Sequence, residues 1–413
     1  MKYQAAVFAL LLASQMCPAQ KSPPPSPQPP PSFTMPTPVP MPSNPDPYGI
    51  QRKMDEERME PTEPPTAPVT VAQVEEILAG NRNTSDGKLA TILSGYSLTE
   101  RVTPARLTRW TTEFTQLQTK QSLIALADGS AFLPLPAGDA SNDPAPPIAE
   151  QRRIVSAMAI YLTKTLPDLP NLVATRRTVY FEDRPPRQLP PSTDPAVNDR
   201  SANRPMHVVA TSDSEVTYYQ GHEVTEKKAG INELRLDPGR FSTAGEFGPI
   251  LYGVMLDARQ NNLAWAGWTP GAQGRLAVFR FDATQQTSHF SLKPPGPQNP
   301  QGRFVAYHGE LAVDPADGTI MRISVVARPA SSDTVKEASI AVEYDRVEIG
   351  GHLYTCPLRA IALSKVPLRK GQVQDSPPLQ TQLNDVVFDQ FHVFRGDVRI
   401  LEKAVAQDAA PQP

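Results

Sequence analysis

Three short stretches of this 413-residue chain set a carboxylate or a histidine among neighbours that could move protons. In His222-Glu223-Val224-Thr225-Glu226 two carboxylates lie close to one histidine, as in a helical zinc site. The second histidine one turn on is missing and the neighbours fit a strand edge, so metal binding is not the expectation. In Tyr307-His308-Gly309-Glu310 a strand would turn Tyr307 and Gly309 to one face and His308 and Glu310 to the other. A histidine beside a carboxylate on one face could do acid and base work; a cross-strand polar pair on a solvated face, or a histidine satisfied in the core, fits the same pattern. Glu246, in Gly245-Glu246-Phe247-Gly248-Pro249, reads as a first-turn carboxylate at the positive end of a helix capped by Ser242 or Thr243. Phe247, Ile250 and Leu251 would face inward, and catalysis by Glu246 is the alternative. Cys356, between Thr355 and Pro357 in an apolar strand, has nothing nearby to lower its pKa and reads as a buried thiol. Asn384-Asp385 and Arg395 fit polar turn and surface positions. Nucleophile elbows, Walker loops, paired-histidine zinc motifs and dinucleotide fingerprints are all missing, so no catalytic residue, cofactor or metal is expected.

The elements that would carry these residues change type near Pro170. Before it the apolar spacing is helical. Thr70 caps a helix bearing Val74, Ile77 and Leu78, which Gly80-Asn81 ends; Ser85-Asp86 opens a second with Leu89, Ile92 and Leu93. Thr103-Pro104 opens a third with Leu107, Trp110 and Phe114, the pattern continues through Leu123 to Leu126, and a last helix runs from Ala149 to Leu166. Trp110 and Tyr161 sit on these apolar stripes as core residues rather than ligand-stacking ones. After Pro170 the period becomes two. Strands are expected at 171–181, 207–211, 215–219, 263–268, 276–281 and 288–292, with Ser212-Asp213-Ser214 as a turn. Asp317-Gly318 joins a hairpin of 305–313 and 320–326, and Gly350-Gly351 joins 340–349 to 352–364, because glycine accepts the positive φ of short hairpin turns. One helix, from Glu246 to about Leu256, interrupts this region. The expected fold is α+β: a helical block packed on a curved antiparallel sheet, an open half-barrel-like meander.

Around this core lie segments of other character. Lys2 and the apolar run Ala5 to Ala13 form a signal-peptide pattern too short to span a bilayer, with cleavage expected after Ala19. Residues 20–70, rich in the chain's 47 prolines, read as a stiff, solvated tether. The helical lead-in covers 71–166 and the sheet domain 167–402, with a proline-rich insertion near 184–205 and a disordered tail at 403–413. Cleavage would leave Cys356 alone, so no internal disulfide is expected. A formal net charge of -3 offers no field for nucleic acid, and no later apolar run is long enough for a transmembrane helix.

Taken as a set, Leu166-Pro167-Asp168-Leu169-Pro170-Asn171, Ala174-Thr175-Arg176-Arg177-Thr178, Gly245-Glu246-Phe247-Gly248-Pro249-Ile250-Leu251, Tyr307-His308-Gly309-Glu310, Val342-Glu343-Tyr344, Ile349-Gly350-Gly351 and Phe391-His392-Val393-Phe394-Arg395 resemble a family of secreted acidobacterial proteins of unassigned function. That family carries no established activity to transfer. By topology alone the meander also resembles the half-barrel of periplasmic lipoprotein carriers and sigma-factor regulators, which implies a lipid or lipoprotein-like ligand on the concave face. The first expectation is therefore an exported, non-enzymatic envelope protein that binds an apolar ligand or a protein partner. The alternatives are an envelope hydrolase using His308 and Glu310, or Glu246, and a scaffold held off a surface by the proline segment.

Overall fold

The computed structural model describes residues 67–141, 143–165, 169–184, 204–219, 222–227, 246–247, 249–260, 263–292, 302–330, 333, 335–367 and 379–393. The signal pattern, most of the tether, the body of the insertion, the Ser242 or Thr243 cap, Arg395 and the tail lie outside these residues. Among them no helix is long and apolar enough to cross a membrane.

The helical block forms where the spacing places it. Helices α1 (Val71–Gly80), α2 (Asp86–Ser94), α3 (Pro104–Glu113) and α4 (Leu117–Gly129) bury Val74, Leu78, Leu89, Leu93, Trp110 and Leu123 in one small core. Thr70 caps α1 through a reciprocal pair of bonds with Gln73, and Thr103 caps α3 ahead of Pro104. The last residues assigned to the tether are ordered instead: β1 (Ala67–Val69) pairs in parallel with β2 (Tyr96–Leu98). Val69 and Leu98 gain burial in the block's core, which makes this short pairing worthwhile. Helix α5 (Ile148–Ile160) continues as a π-helical turn over Tyr161–Thr165.

Ten strands then make one open antiparallel sheet. Strands β3 (Leu172–Arg184), β4 (Arg204–Tyr219) and β5 (His222–Lys227) form one leaf. A second leaf runs β6 (Ala264–Gly271), β7 (Gly274–Ala283), β10 (Ala306–Val313), β11 (Ile320–Arg328), β12 (Glu337–Ile349), β13 (His352–Pro367) and β14 (Leu379–Val393). Strand β14 joins the leaves by pairing with β3, so the order is β5-β4-β3-β14-β13-β12-β11-β10-β7-β6. Register shifts at Tyr180/Phe181, Glu343/Tyr344 and Asp389/His392 insert residues that bend a sheet. The sheet is curved but not closed. The short strands β8 (Ser291–Leu292) and β9 (Arg303–Phe304) pair apart from it.

The period of two buries both faces against helices. Tyr307, Leu311, Val313, Ile323, Val325, Ile340 and Val342 share a core with Ile154 and Met158 of α5 and with Leu251, Val254 and Ala258 of α6 (Pro249–Gln260). On the opposite face Phe181, Ile361 and Leu383 pack under Ala125 of α4 and Ala131 just beyond it. Each fully buried Leu or Phe in such a core contributes roughly 1.5–3 kcal/mol.

Several expectations are corrected. Ser212-Asp213-Ser214 is no turn: β4 runs straight through it, with Ser212 and Asp213 opposite Thr178 and Arg177, and Ser214 donating to the Arg176 carbonyl at 3.3 Å. Asn384 and Asp385 are buried in the middle of β14, a strand that the turn reading overlooked; Arg359 supplies Asp385 with the partner burial demands. The helix expected from Glu246 begins at Pro249, whose fixed φ suits a first turn. Glu246 lies ahead of it in a turn, fully buried. His289 lies outside any strand, since only Ser291–Leu292 pairs there. Trp110, Tyr161 and Cys356 are core residues, as their spacing implied.

Candidate functional site

A cavity of about 480 Å³ lies between the helical block and the sheet face that carries Ile361. The start of α3, the end of α4 and the segment to Leu135 form one wall; the β6–β7 turn and strands β10 to β13 form the other. Its volume is within the roughly 300–1,000 Å³ of small-molecule sites. Leu107, Leu135, Leu276, Met321, Leu358 and Ile361 supply apolar lining. The same face crosses the sheet as a row of charge, because Arg322 on β11 stands opposite Glu343 on β12, which stands opposite Arg359 on β13.

Arg359 is the best-satisfied member of that row. Its Nη2 donates to Asp128 Oδ1 at 2.5 Å and its Nε to Asp385 Oδ1 at 2.8 Å. Burial weighs against its charge, but the two carboxylates outweigh burial and raise its pKa. Asp128 is fully enclosed, and burial raises its pKa well above the usual carboxylate value although Arg359 pulls the other way. Arg101 and Arg322 are in a different position. Arg101 donates to Thr269 Oγ1 at 3.4 Å, Arg322 donates to the Ala131 carbonyl at 2.7 Å, and neither forms an ion pair among the described residues. Burial, then the nearby Arg322 charge, pushes the Arg101 pKa down to about 10. Burial likewise lowers that of Arg322.

The residues singled out from sequence are dispersed. His308 and Glu310 do share a face; Glu310 is 3.9 Å from Arg280, and its field reaches Arg101 and Arg322 at the cavity. His308 is half-buried with no partner for Nδ1, and burial lowers its pKa. Tyr307 is turned the other way and donates to Asp257 Oδ2 at 2.7 Å. Glu246 is also on that opposite side, 3.3 Å from Arg176 and with no solvent exposure, so it does not converge with His308 and Glu310. Glu223 of the histidine-carboxylate stretch accepts from the Phe247 backbone N–H at 3.0 Å, on an edge strand as expected. No cluster of three metal-ligating side chains occurs among the described residues. Cys356 is fully buried, which pushes its thiol up to about 12.

Sequence reasoning passed over one further set. Asp257 on α6 accepts from His289 Nδ1 at 2.5 Å, from the His289 backbone N–H at 2.8 Å and from Tyr307. The carboxylate ties α6, β10 and the loop after β7 together, and it orients a half-exposed imidazole. Asp257 and His289 are 32 residues apart, too far for any local motif to join them. The cavity was equally hidden, because its lining comes from segments scattered between Arg101 and Ile361.

The chain matches no protein-family model, no curated protein and no solved structure.

Proposed function

We propose that this is an exported envelope protein that binds a lipidic or other apolar ligand between its helical block and its curved sheet, without catalysing a reaction. The cavity over Ile361 carries this reading: it is the size of a small-molecule site, it has an apolar lining, and two packed layers wall it. Export is supported by Lys2 and the short apolar run that follows it. A hydrolase is less well supported, since the fully buried Glu246 and the His308–Glu310 pair lie on opposite sides of the sheet. A scaffold with no ligand would have no use for such a cavity.

The test is native mass spectrometry of the purified protein after incubation with envelope lipid extract. A discrete adduct of small-molecule mass is expected. A clean apo mass at every lipid concentration discards the reading.

A further inference from the structure

A guanidinium carries five N–H donors and keeps its charge at any physiological pH. Arg101 and Arg322 each use one donor on a neutral oxygen, and both stand on the cavity wall beside aliphatic side chains. Arg101 lies close enough to Arg322 to be repelled by it; Glu343, opposite Arg322 on the next strand, and Glu310 offset that repulsion without forming an ion pair with either arginine among the described residues. The remaining charges mostly have closer company. Arg275 pairs with Asp143, Arg359 with Asp128 and Asp385, and Asp314 with Arg346. Asp345 accepts from the Arg346 backbone N–H at 2.8 Å.

We infer that the cavity takes a long-chain carboxylate, its head between Arg101 and Arg322 and its chain along Leu107, Leu135, Leu276 and Met321. This rests on the lipid-binding reading above and specifies the head group. A carboxylate accepts several charge-assisted N–H bonds, which are shorter and stronger than those the two arginines now make. It also brings a single negative charge. Glu343 already supplies one on the same wall, so a dianionic phosphate head would meet more repulsion than a carboxylate.

The experiment titrates the full chain with hexadecanoate and, separately, with hexadecan-1-ol, which has the same chain and no charge. Hexadecanoate is expected to bind at least tenfold more tightly. In the Arg101→Gln/Arg322→Gln double variant that preference should fall below threefold with the alcohol's affinity kept, which also shows that the cavity is still formed. Equal affinity of the native protein for acid and alcohol, or a preference that survives in the double variant, overturns the carboxylate assignment while lipid binding stands. Failure of both probes to bind the native protein overturns the assignment together with the reading beneath it.

Discussion

Asp128 places one carboxylate oxygen against Arg359 and leaves the other, Oδ2, buried without a partner. Asp385 already shares that guanidinium, so little attraction remains to offset the desolvation of a second charge. Because its folded pKa is raised, the folded state binds the proton more tightly than the unfolded chain. The stabilising contribution is therefore complete below the unfolded value near 3.8 and is lost as pH rises through the higher folded value. Asp128→Asn removes this dependence. Urea unfolding should find the variant within about 1 kcal/mol of the native protein, or more stable, at pH 7. Lowering the pH to 4 should move the difference in favour of the native protein by at least ~1 kcal/mol, the worth of about one pKa unit. A difference that stays constant between the two pH values would show that Asp128 ionises freely in the fold.

Among the elements, α5 and the β10–β11 hairpin are locked together at one glycine. Gly318 has φ +81, and a Cβ there would lie 2.2 Å from the Ala157 carbonyl carbon and 2.3 Å from the Met158 amide nitrogen. Arg153 adds a bond from Nη2 to the Pro315 carbonyl at 2.6 Å. Gly318→Ala meets both a disfavoured backbone and a backbone clash, and should cost about 3 kcal/mol or more in chemical denaturation. Gly350→Ala, at φ +61 in an open turn with nothing near its Cβ position, should cost only about 1 kcal/mol. Both turns were legible in the sequence because glycine advertises positive φ. The helical stripes were legible for a similar reason, since each helix reports its buried side in its own spacing. What stayed hidden depends on partners far along the chain. Asn384-Asp385 looks like a turn until Arg359 is placed on the next strand, and Ser212-Asp213-Ser214 looks like one until Thr178 and Arg177 are placed opposite. Arg101 and Arg322 have nothing local to set them apart; only the docking of the helical block on the sheet brings them to one cavity.

Among the described residues the sheet is covered on one face by α5 and α6 and on the other by the helical block, and its strand order ends at β5 and β6. Open edges invite pairing with other chains. β5 answers that with the carboxylate of Glu223; β6 carries Pro270, which donates no backbone N–H, just before its last residue. The curvature and the open outline were both expected from the meander pattern. The strand that unites the leaves was not.

That strand sets a timetable for folding. Gln380 and Thr381 of β14 bond to Asp183 of β3, partners 197 and 198 residues apart. Until β14 leaves the ribosome, β3 and β13 each present a bare rim, and neither half of the protein has its final neighbour. Such distant closure is slow, because chain entropy is lost before contacts reward it. A chain stopped after residue 367 should keep two uncapped rims and sediment as aggregates, where the full chain sediments as one discrete species; a monodisperse truncated product would mean that the leaves do not need their keystone.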